Sequence, residues 1–449
     1  MIDAGPVIVW FRRDLRLADN PALATAAASG RPVIPIYILD ETPGLRRPGG
    51  ASRWWLDKSL RALAASLEAL GSRLILRRGP AAAVLEEMIA QTGASAVFWN
   101  RLYDGGAVER DMALKKVLAA ETRSFNAALL NEPWEVKTGT GKDYSVFTPY
   151  WRAARGRLDK VDVLPARRRL TSPEQWPDSD GLSDWKLHPT NPDWSEGFSV
   201  WTPGEAGARR RLDTFLSQSI KGYGEGRDRP DIDQTSRLSP HLHFGEIGPR
   251  QVWVATQTLA ATGEAALRDT EKFLSELGWR EFNHHVLFHH PQIATENLKG
   301  GFGRIPWRKD IKAFRAWTEG RTGYPLVDAG MRELWATGFM HNRVRMVAAS
   351  FLVKHLLIDW REGERWFWDT LVDADLANNA ANWQWVAGCG ADASPWFRVF
   401  NPQTQAEKFD PDGAYVRRWV PEFGTSAYPA PIVDHAMARK RALAALGNL

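Results

Sequence analysis

Three segments in the second half of the 449-residue chain place polar or aromatic side chains on one helix face. The sets are Glu276, Trp279, Arg280 and Asn283 at i, i+3, i+4 and i+7, then Asn342, Arg345 and Met346, and then Asp375, Asn379 and Trp383 at i, i+4 and i+8. Residues at these spacings are neighbours on a helix surface. Any one set fits a solvated face, but unpaired buried charges are costly, so three together favour a shared polar pocket.

A hydroxyl-rich turn, TSRLSP, precedes these segments at 235–240. It carries Thr235, Ser236 and Ser239 where a loop is expected to enter a helix, so side-chain and backbone donors there can converge on phosphate oxygens. The same residues also fit an ordinary helix N-cap. Both interpretations stay open on these residues alone.

A histidine cluster could in principle bind a metal. Glu281, His285 and His289 have i, i+4, i+8 spacing, and His284 and His290 lie beside them. The H-E-x-x-H motif is absent, however, and histidines at a helix end also complement the helix dipole. We therefore predict no metal site.

The elements that must position these residues fall into two types. Short apolar runs alternate with helical patterns such as 54–70 and 81–91; the runs are 7–11, 33–39, 74–76, 96–99 and 125–130. This alternation predicts an α/β domain with a parallel, Rossmann-like sheet over 1–130. Its first loop contains neither G-x-G-x-x-G nor G-x-x-x-x-G-K, which leaves both phosphate-binding signatures without support.

Beyond residue 130 the pattern changes. Scattered prolines predict a long connector over 131–202. Apolar residues then recur at helical spacing in 205–219, 246–260, 269–289, 325–337, 342–357, 363–371 and 375–386. Residues 203–449 are therefore predicted to form an all-α domain.

Composition excludes several classes of protein. With 44% hydrophobic residues the chain is not mainly disordered, and its one cysteine, Cys389, cannot form an internal disulfide or supply an iron–sulfur cluster. We expect a cytoplasmic protein without an export signal or membrane anchor. The net charge of +5 permits a polyanionic partner without requiring one. The 22 tryptophans are mostly core residues, although indole also stacks on bases and is readily oxidised.

Several long motifs resemble the photolyase/cryptochrome flavoprotein family. They are VIVWFRRDLRLADNPAL (7–23), TSRLSPHLHFGEIGPRQVW (235–253), ELGWREF (276–282), GYPLVDAGMRELWATGFMHNRVRMVAASFLVKHLLIDWREGERWFW (323–368) and DADLANNAANWQW (373–385). The match follows the family's motif order from Val7 to about Glu422.

The resemblance implies an all-α carboxy-terminal domain that binds FAD in a U shape. Matched position by position, Tyr223, Thr235, Ser236, Leu238 and Ser239 would hold the FAD phosphates and ribitol. Arg280 and Arg345 would line the isoalloxazine pocket, where Asn342 is also assigned to the cofactor. Asp373 would pair with Arg345, Asp375 would meet the ring edge, and Asn379 would approach the flavin N5.

The resemblance also implies light-driven repair of cyclobutane pyrimidine dimers in DNA, by an electron from excited reduced FAD. Glu276 would hydrogen-bond or protonate the flipped dimer, and Trp279, Asn342, Met346 and Trp385 would contact it. Trp383, Trp360 and Trp307 match the family's electron-carrying tryptophan chain. The alternative is a cryptochrome-type blue-light photoreceptor without repair activity.

Several sequence features indicate the branch of the family. His341-Asn342-Arg343-Val344-Arg345-Met346 lacks the histidine pair of 6-4 photolyases, and a single cysteine excludes the iron–sulfur branch. SPHLHFGEI (239–247) looks like plant cryptochromes and the bacterial dimer photolyases nearest them, often called class III. Plant cryptochromes usually have Asp at the position of Asn379 and a long signalling tail, whereas this sequence ends at Leu449.

Family members usually hold a second, antenna chromophore. The Asn-Glu pair of many folate-binding members is replaced here by Gly106-Ala107. Methenyltetrahydrofolate is nevertheless favoured, with a deazaflavin, a second flavin or no antenna as alternatives. The expected partner is DNA containing pyrimidine dimers, bound by a monomer.

Overall fold

The computed structural model describes residues 5–447. Its amino-terminal part is a five-stranded, all-parallel sheet with strand order β3-β2-β1-β4-β5. The strands are β1 (Val7–Phe11), β2 (Val33–Asp40), β3 (Ile75–Gly79), β4 (Ala96–Asn100) and β5 (Glu121–Phe125). β1 and β4 are buried along their whole length, because helices cover both faces of the sheet.

The fifth strand is not where the apolar pattern predicted it. The run 125–130 was wrong as a strand, since β5 is the half-exposed edge segment ETRSF. Residues 126–130 form a turn in which Asn126 Oδ1 accepts from the backbone N–H groups of Ala128 and Leu129. Leu130 N–H then donates to the buried Glu281 carboxylate at 2.8 Å. Residues 126–130 are therefore apolar because they pack against the helical part, and not because they form a strand.

Helices connect the strands and fill the rest of the chain. The crossover helices are α1 (Pro21–Ala28), α2 (Gly50–Glu68), α3 (Ala81–Thr92) and α4 (Gly105–Val117). After β5, the region before the helical part contains α5 (Phe147–Arg155) and 3₁₀ turns at Leu182–Trp185 and Glu196–Val200.

The carboxy-terminal part is helical, as predicted. Its helices are α6 (Glu205–Thr214), α7 (Tyr223–Gly226), α8 (Ser239–His243), α9 (Pro249–Thr262), α10 (Leu267–His289), α11 (Ile311–Thr318), α12 (Pro325–Thr337), α13 (Asn342–Ser350), α14 (Trp360–Thr370), α15 (Leu376–Ala387), α16 (Pro402–Phe409), α17 (Ala414–Trp419) and α18 (His435–Leu446). A further 3₁₀ turn lies at Gly300–Arg304, and π-helical turns extend α6 over Phe215–Ser219 and α13 over Phe351–His355. The predicted fold class, a parallel α/β sheet followed by an all-α part, is confirmed.

Buried polar contacts join the two parts. Arg16 reaches from the loop after β1 and donates to the carbonyl of Gly245 at 2.8 Å. Trp55 of α2 donates its indole N–H to Glu246, which is fully buried. Across residues 5–447, no helix is both long enough and apolar enough to traverse a bilayer.

Candidate functional site

A cavity of about 520 Å³ opens between α10, α13 and α15. The three helix faces singled out in the sequence all border it, so the predicted shared pocket exists. The predicted side chains that line it are Tyr223, Ser236, Leu238, Ser239, Glu276, Trp279, Arg280, Asn283, Asn342, Arg345, Met346, Asp373, Asp375, Asn379, Trp383 and Trp385. Thr235, Trp360 and Trp307 lie outside its lining.

One wall of the cavity is built around the ion pair of Arg345 and Asp373. The guanidinium donates to both carboxylate oxygens, at 3.1 and 2.9 Å, and the hydroxyl of Ser239 donates to the same carboxylate at 2.6 Å. Arg345 Nε also donates to the carbonyl of Met340, which fixes the plane of the guanidinium. This bidentate geometry fixes a cation and a hydroxyl side by side at the cavity.

A second carboxylate, Asp375, begins α15 and lies beside two buried histidines. It caps the helix by accepting from Asn378 N–H at 2.9 Å, and its Oδ2 lies 3.6 Å from a ring nitrogen of both His243 and His284. Burial alone raises the pKa of Asp375, but His284, His243 and Arg13 hold it well below its usual range. The cavity therefore presents a fixed anion at this edge.

The side-chain amide of Asn379 has a fixed orientation. Its Nδ2 donates to the backbone carbonyl of Glu364 at 3.0 Å and to Glu364 Oε1 at 2.8 Å. The sequence reasoning missed Glu364, which projects from α14 and is only 2% exposed. The sequence signal that could have revealed Glu364 is its position within WREGERWFW (360–368), where a charged residue stands in a tryptophan-rich segment.

Glu276 lies at the cavity wall within an ion-pair network. Arg227 pairs with its carboxylate, and Lys272 Nζ lies 3.3 Å from the same oxygen. Nearby, Arg343 donates to Asp228 at 2.7 Å. Arg227 and Asp228 were also missed, although the charged loop GRDRPD after α7 could have indicated them. The salt-bridged carboxylate of Glu276 presents hydrogen-bond acceptors to the cavity.

Aromatic side chains also line the cavity. Trp279 stacks on Phe147 with ring centroids 3.8 Å apart and 9° between planes, so Phe147 covers one indole face. Trp385 and Met346 line the cavity nearby, and Asn342 is exposed at its rim. The arrangement offers flat apolar surface next to charged groups, which suits a base or another planar ring.

Of the three tryptophans predicted to carry electrons, Trp383 lines the cavity and the other two do not. Trp383 lines the cavity and is 2% exposed, Trp360 is fully buried, and Trp307 is half-buried against the same hydrophobic cluster. A Cβ placed on Gly363 would lie 2.1 Å from the Trp383 ring, so this ring packs directly on the backbone of α14, the helix that Trp360 begins. Trp360 donates its indole N–H to Asn297 at 2.9 Å.

The hydroxyl-rich turn does not cap the helix that follows it. No side chain caps α8, which excludes the N-cap interpretation in this structure. Arg211 instead donates to the backbone carbonyls of Ser236 and Thr235, at 2.8 and 2.9 Å. This leaves Ser236 and Ser239 on the cavity lining, whereas Thr235 lies behind it.

The histidine cluster differs from the predicted helical triad. Glu281 faces the turn after β5, where burial raises its pKa to about 7, and Asp143 lies near His285 and His289 instead. The candidate ligand atoms already have partners. Lys137 pairs with Asp143, His285 Nε2 accepts from Tyr144 N–H, and His289 Nε2 lies 3.3 Å from the Pro133 carbonyl.

Acid should destabilise this protein. Burial lowers the pKa of His284, His285 and His341 to about 4 and that of His355 to about 3. Between these values and about 6.5 the unfolded chain binds more protons than the folded one, so stability falls as the pH drops through that range. The raised pKa values of Glu281, Asp328 and Glu333 act in the opposite direction, but the histidines with lowered pKa values outnumber them. We expect a lower melting temperature at pH 5.5 than at pH 7.5.

His355→Gln should weaken this pH dependence. The matched control is His290→Gln at an exposed position, which should leave it unchanged. Equal melting temperatures at both pH values in the parent protein would show that the buried histidines do not govern acid stability.

Comparisons with known proteins agree with this geometry. The family model described as DNA photolyase matches residues 7–170, and the model described as FAD binding domain of DNA photolyase matches residues 273–426. A deoxyribodipyrimidine photo-lyase of Agrobacterium fabrum is 52% identical over 99% of this chain and 98% of its own length. Cryptochrome-1 of Arabidopsis thaliana is 42% identical over 96% of this chain and 64% of its own length.

A solved structure extends the likeness to three dimensions. The crystal structure of a bacterial class III photolyase from Agrobacterium tumefaciens superposes with a TM-score of 0.96 at 52% identity, covering 100% of this chain and 98% of that one. Similarity over the full length, in both sequence and structure, places the chain in one family. The chain belongs to the photolyase/cryptochrome flavoprotein family.

Proposed function

We propose that this protein repairs cyclobutane pyrimidine dimers in DNA by light-driven electron transfer, as a deoxyribodipyrimidine photo-lyase. The observation that carries the proposal is the cavity, in which fixed charged groups and open aromatic surface lie together. The full-length similarity to a deoxyribodipyrimidine photo-lyase supports the choice of substrate. Light-dependent loss of dimers from ultraviolet-irradiated DNA, with no loss in the dark, tests it.

The residues of the cavity fit FAD. Arg345 supplies a cation locked by Asp373, Asp375 an anion, and Asn379 an amide whose nitrogen is already engaged. Ser236, Ser239 and Tyr223 supply hydroxyls for phosphate and ribitol oxygens. Bound FAD, when reduced and excited by light, supplies the electron that opens the dimer. These side chains hold the ring system, orient it, and limit its exposure to water.

Other side chains of the same cavity would receive the lesion. Flipping a damaged base pair costs a few kcal/mol, least where pairing is already poor, and stacking on aromatic rings offsets this cost. Trp279 and Trp385 provide the stacking surface and Met346 fills the space beside them. Glu276, which pairs with Arg227 and Lys272, would hydrogen-bond or protonate the flipped dimer.

Trp383→Phe should retain bound FAD but slow its photoreduction by an external reductant by more than tenfold. Trp383 is the buried indole at the cavity, and phenylalanine fills similar space but is much harder to oxidise. The measurement is the bleaching of oxidised-flavin absorbance under blue light. The control is Trp335→Phe, because Trp335 is 39% exposed and outside the cavity lining. Photoreduction at the parental rate in the Trp383 variant would rule out the proposed route through Trp360 and Trp307.

We further propose a folate antenna, methenyltetrahydrofolate, held in a pose that does not use the usual Asn-Glu pair. At that position, a Cβ on Gly106 would lie 3.1 Å from the side chain of Leu45, a tight contact that leaves little room for the asparagine of the usual pair. Chromophores released by heat from fresh protein and identified by mass should include the folate. Recovery of FAD alone after incubation with folate, deazaflavin and flavin mononucleotide would refute the antenna but not repair.

The second candidate is a cryptochrome-type photoreceptor without repair activity, and the similarity to cryptochrome-1 supports it. Asn379 favours the repair enzyme, because plant cryptochromes usually have Asp there. Measuring flavin photoreduction and dimer repair on the same protein distinguishes the two functions. A photoreceptor would photoreduce normally yet leave dimers intact, whereas a photolyase acting as a monomer on DNA would remove them.

A further inference from the structure

The orientation of the Asn379 amide depends on contacts that reach into the amino-terminal domain. Both hydrogens of Nδ2 are directed at Glu364, one at its backbone carbonyl and one at its carboxylate. Within residues 5–447, the Asn379 Oδ1 forms no protein hydrogen bond, and Asn379 lines the cavity. The amide therefore presents an acceptor, rather than a donor, to whatever the cavity holds.

Glu364 can hold the amide this way only as a well-placed carboxylate. Its side chain is 2% exposed, and a buried carboxylate is stable only when it is paired and hydrogen-bonded. The pairing comes from Arg46, whose two guanidinium nitrogens donate to Oε1 at 2.6 Å and to Oε2 at 2.8 Å. Such bidentate contact fixes both the position and the plane of the carboxylate.

Arg46 lies on the segment 46–50, which leads from the loop after β2 into the first residue of α2 and which we call the strap. The guanidinium of Arg46 lies 4.0 Å from the ring centroid of Trp368 on α14. Trp368 donates its indole N–H to the Arg47 carbonyl at 2.9 Å, and Asp369 accepts from Gly50 N–H at 2.8 Å. A Cβ on Gly49 would lie 2.2 Å from the Trp368 carbonyl oxygen, so the strap is in direct backbone contact with α14.

We propose that Arg46 is a positioning residue for the flavin pocket: through Glu364 it fixes the Asn379 amide with its carbonyl oxygen towards the cofactor. The inference rests on the proposed FAD site. An N5–H is present in reduced flavin and absent from oxidised flavin, so a fixed acceptor at Asn379 favours the reduced form. The strap thereby gives the amino-terminal domain an effect on the flavin's reduction potential, in addition to any antenna.

Loss of Arg46 should shift the flavin equilibrium towards the oxidised form for two reasons that act in the same direction. The amide of Asn379 becomes free to rotate and to present its NH₂ group, which cannot accept from N5–H. The Glu364 carboxylate also loses its counter-charge close to the pocket, and an uncompensated anion disfavours adding electrons to the flavin.

The test is a redox titration of purified flavoprotein, which requires neither DNA nor repair. Arg46→Ala should lower the ratio of reduced to oxidised FAD at a fixed potential by at least tenfold, about 30 mV for a two-electron couple. Arg46→Lys keeps the positive charge but cannot contact both carboxylate oxygens with two fixed nitrogens, so it should shift the reduction potential less. The matched control is Arg47→Ala, because Arg47 is the exposed neighbour on the same strap.

A double-mutant cycle separates positioning from general damage. Glu364→Gln keeps an acceptor for Asn379 Nδ2 but needs no cation, so adding Arg46→Ala to it should change the potential little. An unchanged potential in Arg46→Ala, or an equal shift in the Glu364→Gln background, would overturn the inference. If Arg46→Ala does not fold with FAD, the same comparison is made with Arg46→Lys in the parent and in the Glu364→Gln protein. An equal shift of the potential in both, or no shift in the parent, would overturn the inference. Parent protein that lacks FAD would instead refute the proposed flavin site itself.

Discussion

Asp373→Asn is expected to lower FAD affinity by roughly thirtyfold, about 2 kcal/mol. The carboxylate accepts from Arg345 and Ser239, and its side chain is 3% exposed. Asparagine keeps the shape but leaves the guanidinium without its charge partner. Breaking a fully buried pair costs about 3–5 kcal/mol, and the lower figure used here allows for Arg345 being 23% exposed.

The measurement is FAD content after gel filtration and the dissociation constant from titration of apoprotein. Glu362→Gln is the matched control, because this exposed carboxylate pairs with Arg365 on α14 away from the cavity. Asp373→Asn should keep the circular dichroism of a helical protein while it loses FAD, and Glu362→Gln should keep both. Full FAD retention by Asp373→Asn would mean that the Arg345–Asp373 pair does not hold the cofactor.

Trp279→Ala is expected to weaken binding of dimer-containing DNA by about 1–3 kcal/mol, with FAD content near the parental level. Phe147 already covers one face of the indole, so the area left for the lesion is the part that lines the cavity. Met346→Ala and Glu276→Ala should also impair lesion binding or repair. Binding should be salt-dependent, with log K falling by roughly 0.9 per log unit of salt for each phosphate contacted.

Fluorescence titrations with dimer-containing and undamaged oligonucleotides at several salt concentrations measure both effects. Trp134→Ala is the control, since Trp134 is 41% exposed and outside the cavity lining. The Trp279 variant should lose preference for the lesion while its salt slope stays the same. Parental binding and repair by all three cavity variants would show that the lesion binds elsewhere.

Much of the site could be predicted because it lies on regular helices. The i, i+4, i+8 set from Asp375 and the set from Glu276 depend only on helical periodicity, and both line the cavity as expected. For the helices that were predicted, the limits followed from apolar spacing, as at 325–337, where Pro325 begins α12 and Gly338 follows it. The spacing did not reveal α11, α16, α17 or α18. Position-by-position matching to the family then identified residues such as Tyr223, in the single-turn helix α7, that periodicity does not detect.

The errors arose where tertiary contacts override local pattern. The run 125–130 is apolar because of long-range packing: Leu130 lies against the cluster that contains Leu277, and its N–H donates to Glu281, 151 positions away. Arg46 and Glu364 are separated by 318 positions, so nothing local in the sequence indicates their ion pair. Arg227 lies in a loop without periodicity, and its pairing with Glu276 depends on how α7 and α10 pack.

Repair of a defined lesion under light tests the central claim most directly. Protein with its FAD chemically reduced is mixed with oligothymidine containing a cyclobutane dimer, and thymine absorbance is followed under blue light and in the dark. We expect absorbance to recover only under light, at the same rate in Trp383→Phe because prior reduction bypasses the tryptophan route. If fully reduced parent protein binds the oligonucleotide and leaves the dimer intact under light, the protein is not a photolyase.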